Sequence, residues 1–243
     1  MIARYCRNGA EVHGSSLNVF RQLVIGAFTH LLFFASLSQI SCSSRMITQE
    51  GHRIFNPEYL WYLESEDRDF WQKPEQVIES LNISDGSVVA DIGAGGGYFT
   101  EYFSRHVGTP GRVYAVDVQD ELIEKLKLRI AERKLLNVLV IKGTFESPLL
   151  PEKSVDVAFF SSVYKEIDNR VAYMGEVRKS LNDSGKVAII EFHKGRGVVG
   201  PPFRDRLREK TVINEMRKAG FSLDNRFEFL PKEYFLLFSK VGK

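Results

Sequence analysis

Asp91 is followed by Gly93, Gly95, Gly96 and Gly97, an acid running into a glycine turn at the end of the apolar run Val88-Val89-Ala90. Glycine supplies positive φ and lets a ligand approach backbone where a Cβ would stand. From Tyr98 the sequence reads as a helix, whose first amides are free to face a polar ligand. The chemistry on offer is that of a nucleotide-type pocket.

Spacing narrows the ligand. A dinucleotide fingerprint places a third glycine where Tyr98 stands, and a P-loop ends in Gly-Lys-Ser/Thr, which does not follow the turn. A nicotinamide oxidoreductase is therefore disfavoured. Arg112-Val113-Tyr114-Ala115-Val116 is a second short apolar run, and it ends in Asp117. A carboxylate at the end of the strand beside the turn can accept both hydroxyls of a ribose.

The pattern D-x-G-x-G-x-G over Asp91 to Gly97, with Asp117 downstream, resembles the first motifs of the class I S-adenosylmethionine (SAM) dependent methyltransferases. The resemblance covers about residues 60 to 240 and points to a group of bacterial predicted methyltransferases. It implies an α/β, Rossmann-like, doubly wound seven-stranded sheet of order 3-2-1-4-5-7-6, with strand 7 antiparallel. It also implies SAM as cofactor, held by Asp91, Gly93, Ala94, Gly95, Gly97 and Tyr98 at the turn. Asp117 and Val118 would serve the second strand end, Thr144 and Phe145 the third, and Ser161 the fourth. No metal is implied.

Two positions depart from the family pattern near the acceptor. Lys165, in Ser161-Ser162-Val163-Tyr164-Lys165-Glu166-Ile167, and Asp205, in Gly200-Pro201-Pro202-Phe203-Arg204-Asp205, stand where a His is expected. Thr144 stands where an acid usually meets the adenine amino group; Phe145 could cover the adenine and Glu146 could supply the acceptor. Tyr164, Glu166 and His193, with Asp205, are the candidates for a base, needed only if the acceptor must lose a proton. Each also has an ordinary structural role open to it. The implied activity is methyl transfer to a small-molecule acceptor; the alternative is a non-catalytic, membrane-tethered module that keeps the fold.

The elements that must position these residues follow from periodicity. Val88 to Ile92, Arg112 to Asp117, Val138 to Ile141, Val155 to Phe160 and Lys186 to Phe192 read as strands, the last preceded by a turn at Asp183-Ser184-Gly185. Helices are predicted over Tyr98 to Val107 and over Glu121 to Arg133, where Leu122, Ile123, Leu126 and Ile130 share one face and Glu121 pairs with Lys125 on the other. A further helix, capped by Asp168, buries Val171, Met174, Val177 and Leu181, and one from Arg206 to Ala219 ends at Gly220. Arg226 to Leu230 and Tyr234 to Ser239 close the chain as a hairpin. Alternating strands and helices make a parallel sheet whose ligands bind beyond the carboxyl strand ends, aligning Gly93, Asp117, Gly143 and Ser161.

The rest of the chain bounds these expectations. Its 243 residues carry a formal net charge of +2, with 33 basic and 31 acidic residues, so no nucleic-acid surface is announced. Cys6 and Cys42 both precede the domain, which excludes a zinc site or a cysteine nucleophile within it. Residues 1–45 read as a leader: Arg21, then a largely apolar stretch from Leu23 to Ile40, then Ser41-Cys42, resembling a lipoprotein cleavage box. Membrane attachment through residues 21–42, or export, is the expectation, although SAM is made in the cytosol. A transmembrane helix, a helix packed on the domain, or a cytoplasmic product starting at Met46 are the alternatives. Residues 46–85 form a cap segment, with Pro74 at a first helical position, and residues 86–243 the SAM-binding domain. The sequence does not set the oligomeric state.

Overall fold

The computed structural model describes residues 45–57, 64, 65, 67–195 and 200–242. The leader expected over residues 1–45 lies, but for Arg45, outside the described residues. Among the described residues no helix is long and apolar enough to cross a membrane.

Val88–Ile92 is the central strand, β3, of a seven-stranded sheet. Parallel partners flank it, β4 (Arg112–Asp117) on one side and β6 (Val155–Ser161) on the other. A strand covered on both faces is apolar along nearly its whole length, which is why this one does not alternate and Asp91 is its single polar residue. Beyond β4 lies β5 (Val138–Lys142), and beyond β6 lies β7 (Leu181–Phe192). The order is completed by β9 (Glu233–Lys240), antiparallel to β7, and β8 (Phe221–Phe227) at the edge. Counted within this sheet alone, the order is 3-2-1-4-5-7-6, as the resemblance implied.

Side chains alternate between two layers. Phe159 of β6 packs with Phe99 and Phe103 of α3 (Tyr98–Val107), ring centroids 4.7 and 4.9 Å away. Its neighbour Phe160 faces the other layer, with Tyr164, Tyr173 and Met174. The first layer adds Val77 and Ile78 from α2 (Pro74–Ser80); the second adds α5 (Arg170–Ser180) and α6 (Glu209–Lys218). α4 (Asp120–Arg133) buries Leu122, Ile123 and Leu126, leaves Ile130 half-buried, and carries the Glu121–Lys125 pair at 3.2 Å.

Four local expectations change. The cap of α5 is Asn169, whose side chain accepts from the Ala172 N–H; Asp168 is turned to His52 and Arg53 instead. β7 starts at Leu181, and its ladder with β6 jumps from Val155↔Leu181 to Val157↔Lys186, so the Asp183-Ser184-Gly185 turn is absorbed as an irregularity in the strand. The last helix starts at Glu209 because Arg206 is buried, donating to the carbonyls of Pro201 and His193. β8 spans Phe221–Phe227 rather than Arg226 to Leu230. It is an edge strand, exposed from Ser222 to Arg226, and its polar sequence carries no strand pattern.

An unforeseen hairpin precedes the domain: β1 (Arg45–Ile47) pairs antiparallel with β2 (Arg53–Phe55). A short helix, α1 (Arg68–Gln72), follows.

Candidate cofactor and acceptor site

The glycine turn is held from below. The N–H groups of Gly93 and Ala94 both donate to the Val116 carbonyl, at 2.8 and 3.0 Å, tying the turn to β4. Gly93, Gly95 and Gly97 have φ of +73°, +56° and +85°, values that a Cβ opposes. Their surroundings differ. A Cβ at Gly93 would lie 2.3 Å from Val163 Cγ2, whereas one at Gly95 would meet nothing within 4 Å, because Gly95 faces an open cleft.

Asp117 closes the end of β4. Its Oδ2 accepts from the Gly95 N–H at 2.9 Å, and its Oδ1 accepts from the N–H groups of Val118 and Gln119 at 2.8 and 3.0 Å. Burial pushes its carboxyl above the ordinary value, and those three donors pull it back. Gly95, Asp117, Val118, Thr144, Phe145, Ser161 and Glu166 line one cleft beyond the carboxyl strand ends. Of the predicted cofactor residues the sheet thus brings Gly93, Gly95, Asp117, Val118, Thr144, Phe145 and Ser161 to this cleft, whereas Asp91, Ala94 and Tyr98 line a separate recess and Gly97 lines neither. Thr144 Oγ1 accepts from the N–H groups of Glu146 and Ser147, so this side chain closes its own loop. Glu146 is exposed.

β2 supplies a wall that the sequence did not announce. Arg53, Ile54 and Phe55 line the cleft, and His52 stacks on Phe145 with centroids 3.9 Å apart. Asp168 holds this hairpin, pairing with His52 Nδ1 at 3.1 Å and accepting from Arg53 Nε at 3.0 Å.

A smaller recess on the other side of the turn is lined by Arg68, Asp91, Ala94, Gly96 and Tyr98. Asp91 Oδ2 accepts from Thr100 Oγ1 at 2.6 Å, and burial pushes its carboxyl up to about 6. The buried Arg68 guanidinium lies 3.7 Å from the centroid of Tyr98. Desolvation lowers it to about 10, so it stays cationic at neutral pH. α1 is latched over the turn by Asp69, which accepts from the hydroxyls of Tyr98 and Tyr102 at 2.5 and 2.8 Å.

The four candidate bases part company. Glu166 lines the cleft, with the Lys165 ammonium 3.5 Å from its Oε1. Tyr164 is fully buried and donates to Glu215 Oε2 at 3.2 Å, while Arg170 grips both oxygens of the same carboxylate. His193 stands past the end of β7, its ring edge-on to Tyr234, and is not among the residues lining the cleft. Asp205 sits in the short turn Phe203–Asp205.

A buried polar cluster beside the cleft escaped sequence reasoning. Gln72 Nε2 donates to Ser161 Oγ at 3.1 Å and to Glu233 Oε2 at 3.0 Å, and Ser162 Oγ donates to Glu233 Oε1 at 3.2 Å. Glu191 accepts from the Lys165 N–H at 3.0 Å. The available signal was an acid inside an apolar strand, Ile189-Ile190-Glu191-Phe192.

Comparison with known proteins agrees with this geometry. A family model for the methyltransferase domain matches residues 90–189. A crystal structure of a SAM-dependent methyltransferase from Aquifex aeolicus superposes with a TM-score of 0.75 at 26% identity, over 77% of this chain and 100% of that one. A putative type 11 methyltransferase from Sulfolobus solfataricus shares the fold, with a TM-score of 0.54 at 21% identity, over 74% and 92% of the two chains. The ubiquinone/menaquinone biosynthesis C-methyltransferase UbiE of Shewanella pealeana is 26% identical over 118 residues, 48% of this chain and 47% of that protein. The corresponding enzyme of Hydrogenovibrio crunogenus is 26% identical over 125 residues, 51% and 48%. The chain thus spans about half the length of these curated relatives. A turn open to ligand at Gly95, an acid at the next strand end and these likenesses agree: residues 90–189 match a methyltransferase domain, on a fold shared with a SAM-dependent methyltransferase of known structure.

Proposed function

We propose that the protein transfers the methyl group of SAM to a small, quinone-like phenolic acceptor. The observation that carries the reading is the pairing of an open, positive-φ Gly95 with the Asp117 carboxylate at the mouth of the cleft. Asp117 would hold the ribose hydroxyls, Val118 and Phe145 the adenine, and Arg68 with the glycine turn the amino-acid end. When bound, SAM supplies a methyl group already attached to a good leaving group. The chain's part is then to align the acceptor and keep water out. Leu122, Ile54 and Phe55 give the cleft apolar walls suited to that. The acceptor class rests on the names of the UbiE relatives and on those walls, and nothing in the comparisons favours a non-catalytic module.

The test is to incubate the full chain with SAM and a prenylated hydroquinone and to follow both by mass spectrometry. Gain of one methylene mass by the hydroquinone, with release of S-adenosylhomocysteine, is the expected result; an unchanged hydroquinone beside consumed SAM would point to another acceptor. Attachment to or export across a membrane through residues 21–42 remains part of the proposal. The mass of the mature N-terminus in cells tests it, cleavage before Cys42 with an acyl mass being the lipoprotein outcome.

A further inference from the structure

Methyl transfer to a hydroxyl or an activated ring carbon releases a proton; of the sequence candidates only Glu166 lines the cleft, and the Lys165 ammonium stands 3.5 Å from it. A second carboxylate is within reach of the same wall. Glu233, at the first position of β9, is 1% exposed, yet one hydrogen bond away from a residue of the cleft wall: Ser162 Oγ donates to its Oε1 at 3.2 Å. Ser162 has φ +59°, a left-handed conformation uncommon for a non-glycine residue. Its N–H donates to the Ile190 carbonyl at 2.8 Å, and its own carbonyl accepts from the Lys165 ammonium. Strain of this kind collects where a side chain must be aimed. On the far side, Gln72 Nε2 holds Glu233 Oε2 and Ser161 Oγ together.

We propose that Ser162 and Glu233 form the path by which the methyl acceptor loses its proton, Ser162 meeting the acceptor and Glu233 keeping the proton. This rests on the methyl-transfer reading above. The acceptor's phenolic O–H bond breaks, its proton goes to Ser162 Oγ, and the serine's own proton moves to Glu233 Oε1. The electron pair left on the phenolate, on oxygen or delocalised onto the adjacent ring carbon, forms the bond to the methyl carbon, and the pair of the broken carbon–sulfur bond stays on sulfur; after attack through carbon, the ring C–H proton returns to the phenol oxygen and restores the aromatic ring. Charge balances: a cationic sulfonium and a carboxylate become a thioether and a carboxylic acid. Glu233 suits the task because burial pushes it up to about 7, against the pull of Arg68, Ser162 and Gln72, with Glu191 adding to the rise. Glu191 is itself faced by the Lys165 ammonium at 3.9 Å.

The test needs no acceptor. The full chain, labelled with carbon-13 at the glutamate carboxyls, is titrated by NMR with S-adenosylhomocysteine bound and again with SAM bound. Glu233 is assigned by the loss of its signal in Glu233→Gln. The sulfonium cation near the path should lower the Glu233 midpoint by about one pH unit relative to the neutral thioether. Ser162→Ala, which keeps the carboxyl, should raise the midpoint by removing a donor to the charged form, and assigns the signal if Glu233→Gln does not fold. Equal midpoints with both ligands bound, or a midpoint that ignores Ser162→Ala, would overturn the inference alone. Failure of both ligands to bind would overturn it together with the methyl-transfer reading.

Discussion

The Asp117 carboxylate accepts a hydrogen bond from the Gly95 N–H at 2.9 Å, so the acid that ends one strand also shapes the turn that ends its neighbour. Asp117→Asn keeps the volume and the oxygen but loses the charge. Charge-assisted bonds to two ribose hydroxyls are worth about 1.5–3 kcal/mol, so affinity for S-adenosylhomocysteine should fall roughly 10- to 100-fold by calorimetry. An affinity within twofold of wild type would remove Asp117 from the site.

Two glycines in the same turn should fail differently. Gly95→Ala adds a Cβ that touches no protein atom, so the fold should lose only about 1 kcal/mol to the positive φ while ligand binding collapses. Gly93→Ala drives a Cβ into Val163 and should depress the melting temperature first. Thermal melts beside ligand titrations separate the two, and equal behaviour in both assays would contradict the geometry.

Arg68 should discriminate between ligands that differ at one end. Arg68→Met should weaken S-adenosylhomocysteine by about tenfold and leave 5′-methylthioadenosine, which lacks the amino-acid carboxylate, nearly unchanged. Parallel loss of both ligands would mean that Arg68 serves only the packing of α1 on Tyr98.

Stability should depend on pH through Glu233. Its folded value of about 7 lies above the ordinary 4.5, so between those values the native state binds more protons than the unfolded chain. Stability from this group is therefore lost as pH rises from about 4.5 to 7, by about 3 kcal/mol in total, and is level above that. Asp91, raised to about 6, adds a smaller fall in the acid half of the window. Urea unfolding of Glu233→Gln should show a flatter profile between pH 5 and 8 than wild type. Profiles of equal slope would mean that Glu233 is not buried as a shifted acid.

Asp168 has the opposite sign. His52 and Arg53 hold its carboxyl below the ordinary value although burial opposes them. Its contribution is present above about pH 4 and lost as pH falls through the lower folded value. The pair is partly exposed, so Asp168→Asn should change global stability by less than about 1 kcal/mol. It should instead free the β1–β2 hairpin, raising hydrogen exchange at Arg53 to Phe55 and speeding ligand release; unchanged exchange would show that the hairpin is held by Phe145 alone.

What could be read from the chain was what local chemistry dictates. The apolar run into β3, the glycine turn and Asp117 declare themselves because a buried parallel strand cannot hide its composition and a positive-φ turn needs glycine. β8 could not be read, since an edge strand satisfied by β9 alone can be polar from Ser222 to Arg226. The β1–β2 hairpin went unseen because its three-residue strands are too short for a period. Ser162, Gln72 and Glu233 were illegible as a group: Gln72 and Glu233 lie 161 positions apart, and only the sheet order that places β9 beside β7 brings them together. The Asp168 cap failed for a related reason, because a distant hairpin competes for the carboxylate.

The most direct test is a calorimetric titration of the full chain with S-adenosylhomocysteine. Micromolar binding of one equivalent, lost in Gly95→Ala with the fold intact, is what a cofactor cleft lined by Gly95 and Asp117 predicts. A folded chain that takes up no S-adenosylhomocysteine at millimolar concentration would contradict it.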